Sequence, residues 1–378
     1  MLRCLDLVMN SIDYIAVIDN NFNIVFNTRY ETGVNDTAQR VDRREYINRK
    51  YYEVYPELEL EKSTIMRAIR TGEIVVGGST SGAITPAALC AAAAWTGDER
   101  YAAYAREIGD FFYRTATLQG VTIGGPGEIL QAPDSESAGA LLESFITLYE
   151  MDKTGHWLTC ARDAAHQLAS WVVPYDYAFP LESRFARMGI LSAGSVWANA
   201  QNKHSAPGLC TASPVALFKL YRATGNEKYL ELMRRIARFM PQVASYPERP
   251  MMTVMDTALK PAEMCERVNL SDWEGTHNVG DAIGGNSVWP EVALMLTWLE
   301  VPGVYAAPER GLVCASDHVE ARLEEGTLVI HNPTAFPAKV KVIIESEEDM
   351  KRPLGLWWQD AFTRVGVPAG ETARVPMI

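Results

Sequence analysis

Residues 22–27, Phe22-Asn23-Ile24-Val25-Phe26-Asn27, mix polar and apolar positions as a half-buried strand does. Just before them, Ile15-Ala16-Val17-Ile18-Asp19 is a short apolar run that closes on Asn20-Asn21. Together they predict two strands on a tight turn. A helical stretch is expected over 44–52, ahead of Pro56. Ser63 can cap a further helix over 64–70, which Gly72 ends.

Residues 77–300 have a different texture and read as helical and repetitive. Three stretches echo one another: Thr96-Gly97-Asp98-Glu99-Arg100-Tyr101, Thr154-Gly155-His156-Trp157 and Thr224-Gly225-Asn226-Glu227-Lys228-Tyr229. In each, a helix is expected to end at Thr-Gly, with the glycine in the left-handed position and an aromatic opening the next helix. The helix that follows the third echo places Leu232, Ile236, Phe239 and Met240 on an apolar face. The echoes lie 58 and 70 residues apart, which fits one helical hairpin and one long loop per repeat. Helix starts are marked by Thr85-Pro86, Ser213-Pro214 and Trp289-Pro290, where proline's missing N–H costs nothing, and by Asp134 or Ser135 as a cap. A polar, glycine-rich loop precedes each start, over 77–83, 120–133, 196–212 and 271–286. With one helix of each pair inside and one outside, these loops emerge at one end of the array, where sites are built.

Beyond residue 311 the pattern changes again. Residues 319–323 and 327–330 flank Glu324-Glu325-Gly326 as a hairpin does, and later strands are expected over 338–344 and 372–376. The fold class expected is multidomain α+β. It comprises an N-terminal α/β segment (1–76), a helical-hairpin domain (77–305) and a C-terminal antiparallel β-sandwich (311–378).

Composition narrows the function. Hydrophobic residues make up 48% of the 378, with nine Trp, sixteen Tyr and eleven Phe, so most of the chain can bury a core. A net charge of −12 without a basic cluster disfavours nucleic acid as a partner. No apolar run reaches a membrane span, and Asp6, Asp13 and Asp19 interrupt the N-terminal apolar stretch, so neither a membrane partner nor a secretory signal is expected. The six cysteines, Cys4, Cys90, Cys160, Cys210, Cys265 and Cys314, form no C-x-x-C pair. They read as buried thiols in a reducing cytoplasm. No P-loop, haem or flavin signature occurs, and no cofactor is expected.

The N-terminal segment resembles a PAS domain, closest to the PAS modules of bacterial enhancer-binding regulators that act with the alternative sigma factor. The resemblance rests on Val17-Ile18-Asp19-Asn20, Ile24-Val25-Phe26-Asn27, Tyr52-Glu53-Val54-Tyr55-Pro56-Glu57-Leu58 and Ser63-Thr64-Ile65-Met66-Arg67-Ala68-Ile69-Arg70-Thr71-Gly72-Glu73. It stops near Val76, and the strands that should follow Thr71-Gly72-Glu73 are missing or replaced. It implies a sensory or dimerising role, with a homodimer formed through this segment. Tyr14, Phe26 and Tyr30 then line a small-ligand pocket or simply pack. The helical region, with the C-terminal β domain, resembles the six-hairpin glycosidase superfamily, whose fold is an (α/α) toroid. Carrying the resemblance are the Thr-Gly hairpin turns and four polar loops: Gly-Gly-Pro-Gly-Glu (124–128), Gln-Ala-Pro-Asp-Ser-Glu-Ser (131–137), Asn-Ala-Gln-Asn-Lys-His-Ser-Ala-Pro-Gly (199–208) and Ser-Asp-Trp-Glu-Gly (271–275). About four hairpins fit the length, so the toroid is expected to be open.

Glycosyl transfer to water needs two carboxyls flanking the scissile bond. Asp272 and Glu274 bracket Trp273, whose ring can face a sugar and desolvate a neighbouring carboxyl, or else sit in the core beside a capped turn. Asp134 and Glu136 are a second catalytic pair, although both also suit a helix start. Glu128 sits in a glycine-rich loop that lets backbone approach a ligand. Gln201, Asn202 and His204 carry groups that hydrogen-bond sugar hydroxyls, and Trp197 is either a platform or core. His277 lacks the further ligands a metal needs, so none is expected. Two functions follow: a glycoside hydrolase-like enzyme using carboxylate acid/base chemistry, or a non-catalytic carbohydrate-binding or PAS-type regulatory protein with a degenerate toroid.

Overall fold

The computed structural model describes residues 16–18, 23–27, 31–32, 38–39, 48–50, 53, 80–120, 133–200, 205–270, 279–284, 288–354 and 358–377. The chain divides into two compact units, Met1–Gly77 and Gly78–Ile378.

In the first unit β1 (Ala16–Ile18) pairs antiparallel with β2 (Ile24–Asn27), and β3 (Glu31–Thr32) with β4 (Ala38–Gln39). The helix expected over 44–52 is broken at 48–50. Asn48 takes φ 67° and Lys50 bridges to Asn23. A left-handed residue cannot continue a right-handed helix, and Asn tolerates that region better than most. Tyr14, Tyr30 and the helix expected over 64–70 lie outside the described residues.

The second unit begins with three helical hairpins: α1 (Thr85–Thr96) with α2 (Glu99–Thr115), α3 (Ser135–Asp152) with α4 (Gly155–Ala169), and α5 (Val215–Thr224) with α6 (Glu227–Phe239). Helix α3 packs between α1 and α5. Its small and apolar residues are buried nearly all round, as are those of α5, which marks both as inner helices. Helix α4 instead buries one stripe, Trp157, Cys160, Ala161, Ala164, Ala165 and Leu168, at the i, i+3, i+4 spacing of an amphipathic outer helix.

The first and third hairpin turns share one hydrogen-bond pattern. Gly97 and Gly225 take φ 71° and 70°. Thr96 Oγ1 donates to the Ala92 carbonyl and Thr224 Oγ1 to that of Leu220, both at 2.7 Å. Asp98 and Asn226 then cap the next helix through the N–H of Arg100 and Lys228. The second turn differs from expectation. Lys153, at φ 59°, takes the left-handed position, and Gly155 opens α4. The cause is Asp152, which accepts from the Thr154 N–H and hydroxyl and from the Trp157 indole, turning the chain two residues earlier.

Helix α7 (Trp289–Glu300) is not the inner helix of a fourth hairpin. Glu300, its last residue, accepts a 2.5 Å hydrogen bond from Ser213 at the start of α5. Successive inner helices would place start beside start. Instead α7 joins a four-stranded sheet, β5 (Val196–Trp197), β6 (Ser205–Ala206), β7 (Arg267–Asn269) and β8 (Asp281–Ile283), around a core that includes Phe185, Met240, Met251, Met264 and Ala293.

The chain then builds two sheets that share one apolar cluster. The first orders β10 (Leu312–Ala315), β9 (Val304–Ala307), β13 (Ala338–Ile344) and β14 (Thr363–Val367). The second orders β11 (Glu320–Glu324), β12 (Thr327–His331) and β15 (Thr372–Pro376). The arrangement is not wholly antiparallel: β9 pairs parallel with β13. The long excursion through β10, β11 and β12 gives the crossover that a parallel pair requires. The sheet also starts before residue 311, because Tyr305 of β9 packs edge-on against Phe218 and Tyr221 of α5. Among the described residues no helix is long and apolar enough to cross a membrane.

Lys341 ties β13 to the end of α7. Its buried ammonium donates to the Val301 carbonyl at 2.9 Å, over the rings of Trp298 and Phe362. Burial pushes it down to about 8, with Asp317 opposing that fall. Between pH 8 and 10.5 the unfolded chain therefore holds this proton and the folded chain does not, so this group makes stability rise with pH across that window. The gain is about 3 kcal/mol. Cys160 and Cys265, pushed up to about 12 by burial, act in the opposite sense. Urea midpoints of wild type and Lys341→Met should therefore diverge between pH 8 and 10, the wild type gaining on the variant. Parallel curves would show that the lysine carries no burial cost.

Candidate functional site

Strand directions bring the loop ends together. β5 runs towards residue 198 and β6 returns from residue 204. β7 is antiparallel to β6, so it runs towards the same edge, and β8 returns from it. The connections that contain 201–204 and 271–278 therefore leave and re-enter at one edge of one sheet. The start of α3 lies at this edge too. Asp134 bridges to Asn199, the Ser135 N–H donates to the Ala198 carbonyl at 3.0 Å, and the Ala200 N–H donates to the Pro133 carbonyl at 2.8 Å.

Of the residues singled out from sequence, Asp272, Trp273, Glu274, His277, Gln201, Asn202, His204 and Glu128 lie outside the described residues. Asp134, Glu136 and Trp197 are described. Asp134 is buried and caps α3: its Oδ1 accepts the Ser137 N–H and its Oδ2 the Ser137 hydroxyl. Those bonds hold the helix start. Glu136 stands in the first turn of α3, half-buried. Trp197 packs against the sheet's apolar core, which accounts for it without a ligand.

Polar anchors brace this edge from behind. Arg184 bonds the Asp281 carboxylate at 2.9 Å, the Thr253 carbonyl at 2.5 Å, and Asp256. Burial holds the Asp281 carboxyl above the usual range despite that guanidinium. Glu291, in the first turn of α7, accepts the Met264 N–H at 2.7 Å, while its other oxygen is buried without a hydrogen bond.

Sequence reasoning missed a second charged group, between α3, α5 and α7. Glu143 Oε1 lies 2.6 Å from Lys219 Nζ, and Glu300 is bonded to Ser213. Burial, then the charge of Glu143, lift the Glu300 carboxyl above its ordinary range. Burial lowers the Lys219 ammonium, but Glu143, Glu150 and Glu300 outweigh it and hold it protonated. Nothing in the local sequence announces this group, because its members come from three helices. Among the described residues no group of three His, Cys, Asp or Glu is placed to hold a metal ion.

No family model matches the chain, and no curated protein matches it. Among solved structures it is similar to the GH76 alpha-mannanase of Bacteroides thetaiotaomicron, at 15% identity and TM-score 0.32 over 44% of each chain. It is also similar to an inactive variant of the alpha-1,6-mannanase GH76A of Salegentibacter sp. in complex with alpha-1,6-mannotriose. Here identity is 20% and TM-score 0.28, over 44% of this chain and 46% of that one. The alignments span less than half of either protein, and likeness at this level carries no inference about reaction or substrate.

Proposed function

We propose that the protein is a carbohydrate-active, glycoside hydrolase-like enzyme working at the edge formed by the β5–β8 sheet and the start of α3. Asp272 and Glu274 serve as acid and base, or acid and nucleophile, and Trp273 offers a face to the sugar ring. Gln201, Asn202, His204 and Glu128 bind hydroxyls, Glu136 adds a carboxylate from the first turn of α3, and Asp134 positions the start of that helix. One observation carries the reading: both strand connections and this helix start share one sheet edge. The free thiols of Cys90, Cys160, Cys210, Cys265 and Cys314 support a reducing, cytoplasmic location.

The hairpin count favours a second reading, a carbohydrate binder without turnover. Three hairpins are described where a closed toroid has six. The N-terminal β1–β2 pair is compatible with a PAS-like role in which this segment mediates a homodimer.

A panel of aryl glycosides and oligosaccharides separates the two readings. The enzyme reading expects turnover on at least one substrate, and a loss of about 100-fold or more in Asp272→Asn with binding retained. Turnover unaltered in Asp272→Asn removes this assignment of the acid. Calorimetric affinity for a sugar with no turnover establishes the binder instead.

A further inference from the structure

A cavity of about 260 Å³ lies in the crease between α7 and the strand block, away from the sheet edge described above. Its walls are apolar, including Leu294, Val301 and Val319. Two aromatics in its lining, Trp298 and Phe336, are 47% and 54% exposed, although both are large and apolar. Open aromatic faces beside a cavity are a platform for the C–H face of a flat ring.

The polar part of the lining has unfilled hydrogen-bonding capacity. Ser316 Oγ is buried and has no hydrogen bond beyond a weak approach to the Cys314 thiol. Among the described residues the Asp317 carboxyl makes no hydrogen bond, and burial raises it above the usual carboxylate range. The Thr297 hydroxyl reaches only the Met240 thioether, at 3.5 Å. Other polar groups here are spent: Asn332 bonds three carbonyls and Thr334, and His318 donates to the Arg238 carbonyl. The half-exposed Asp317 carboxylate is therefore open to a ligand, while the Ser316 oxygen has no accessible surface.

We propose that this crease is a second, non-catalytic binding site for a single pyranose unit. Its ring lies against Trp298 and Phe336, and its hydroxyls reach the Asp317 carboxylate. A pyranose presents an apolar face and a rim of donor–acceptor hydroxyls, which is the combination the lining offers. A purely apolar ligand would leave Asp317 unbonded, and a free cation would meet Lys341, whose ammonium lies over the Trp298 ring.

The test uses the full chain, with methyl glycosides of glucose, galactose, mannose and N-acetylglucosamine as probes at millimolar concentration. Saturation-transfer NMR and tryptophan fluorescence read binding. At least one glycoside is expected to bind. Trp298→Ala and Phe336→Ala, each checked for wild-type folding by circular dichroism, weaken it about tenfold. Asp317→Asn weakens it as well, while Asp272→Asn leaves it intact, so this site and the hydrolase reading fail separately. The proposal is overturned if no glycoside binds. It also fails if binding is unchanged in both aromatic variants, or if phenol binds the crease and no glycoside does.

Discussion

An Arg222→Ala variant loses about 3–5 kcal/mol of stability relative to wild type. Arg222 is the main polar joint between the helices and the strand block. Its guanidinium pairs with both oxygens of Glu345, at 3.0 and 2.9 Å. It also donates to the carbonyls of Arg352 and Asp349, at 2.9 and 2.8 Å. Arg222 and Glu345 are 9% and 8% exposed, so water does not replace the lost partner. Truncation therefore strands a buried carboxylate and takes the donor from two carbonyls at once. The pair itself adds much less, because desolvating both charges offsets most of their attraction. A double Arg222→Met, Glu345→Met variant should for that reason lie well above Arg222→Ala in stability. Chemical denaturation of the three proteins checks this, and equal losses in single and double variants contradict it.

Gly194→Ala is the second large effect, about 3–5 kcal/mol. Gly194 has φ +98°, a region side chains other than hydrogen rarely enter. An alanine Cβ there would sit 2.0 Å from the Arg235 carbonyl oxygen and 2.5 Å from its carbon. Both atoms belong to the backbone of α6, which cannot move aside as a flexible side chain does. The loop is also pinned from the other side, since the Gly194 N–H donates to Val173 and the Val173 N–H to Ser195. Displacing it shifts β5, and with β5 the edge where the proposed site lies. Gly120→Ala is the control, with φ +70° and nothing within 4 Å of the added Cβ. It should cost only about 1–2 kcal/mol, the price of the backbone conformation alone. Similar losses in the two variants would mean that the close approach to α6 plays no part.

Local patterns were legible in particular residues. Pro86 and Pro290 fall in the first turns of α1 and α7, and Asp134 caps α3. Gly97 and Gly225 end α1 and α5 in the left-handed conformation. The Thr154-Gly155 echo misled because its spacing to the aromatic is shorter. From Gly97 and Gly225 the next aromatic is four residues on, at Tyr101 and Tyr229, whereas from Gly155 it is two, at Trp157. That difference shows that the chain turns at another residue, but the agent, Asp152, is visible only once its three partners are in place. Trp197 illustrates the converse limit. Its aromatic character is plain in sequence, yet whether it meets core or ligand depends on strands contributed by residues 205–206, 267–269 and 281–283.

Caps, helix-ending glycines and amphipathic stripes depend on neighbours within a few positions, and the amino-acid sequence alone determined these. Tertiary structure alone decided that α7 leaves the array, that β9 enters a sheet in parallel, and that Glu143, Lys219 and Glu300 share one buried environment. Each of these depends on contacts between residues tens to hundreds of positions apart. Burial and charge then act on groups that no local pattern connects.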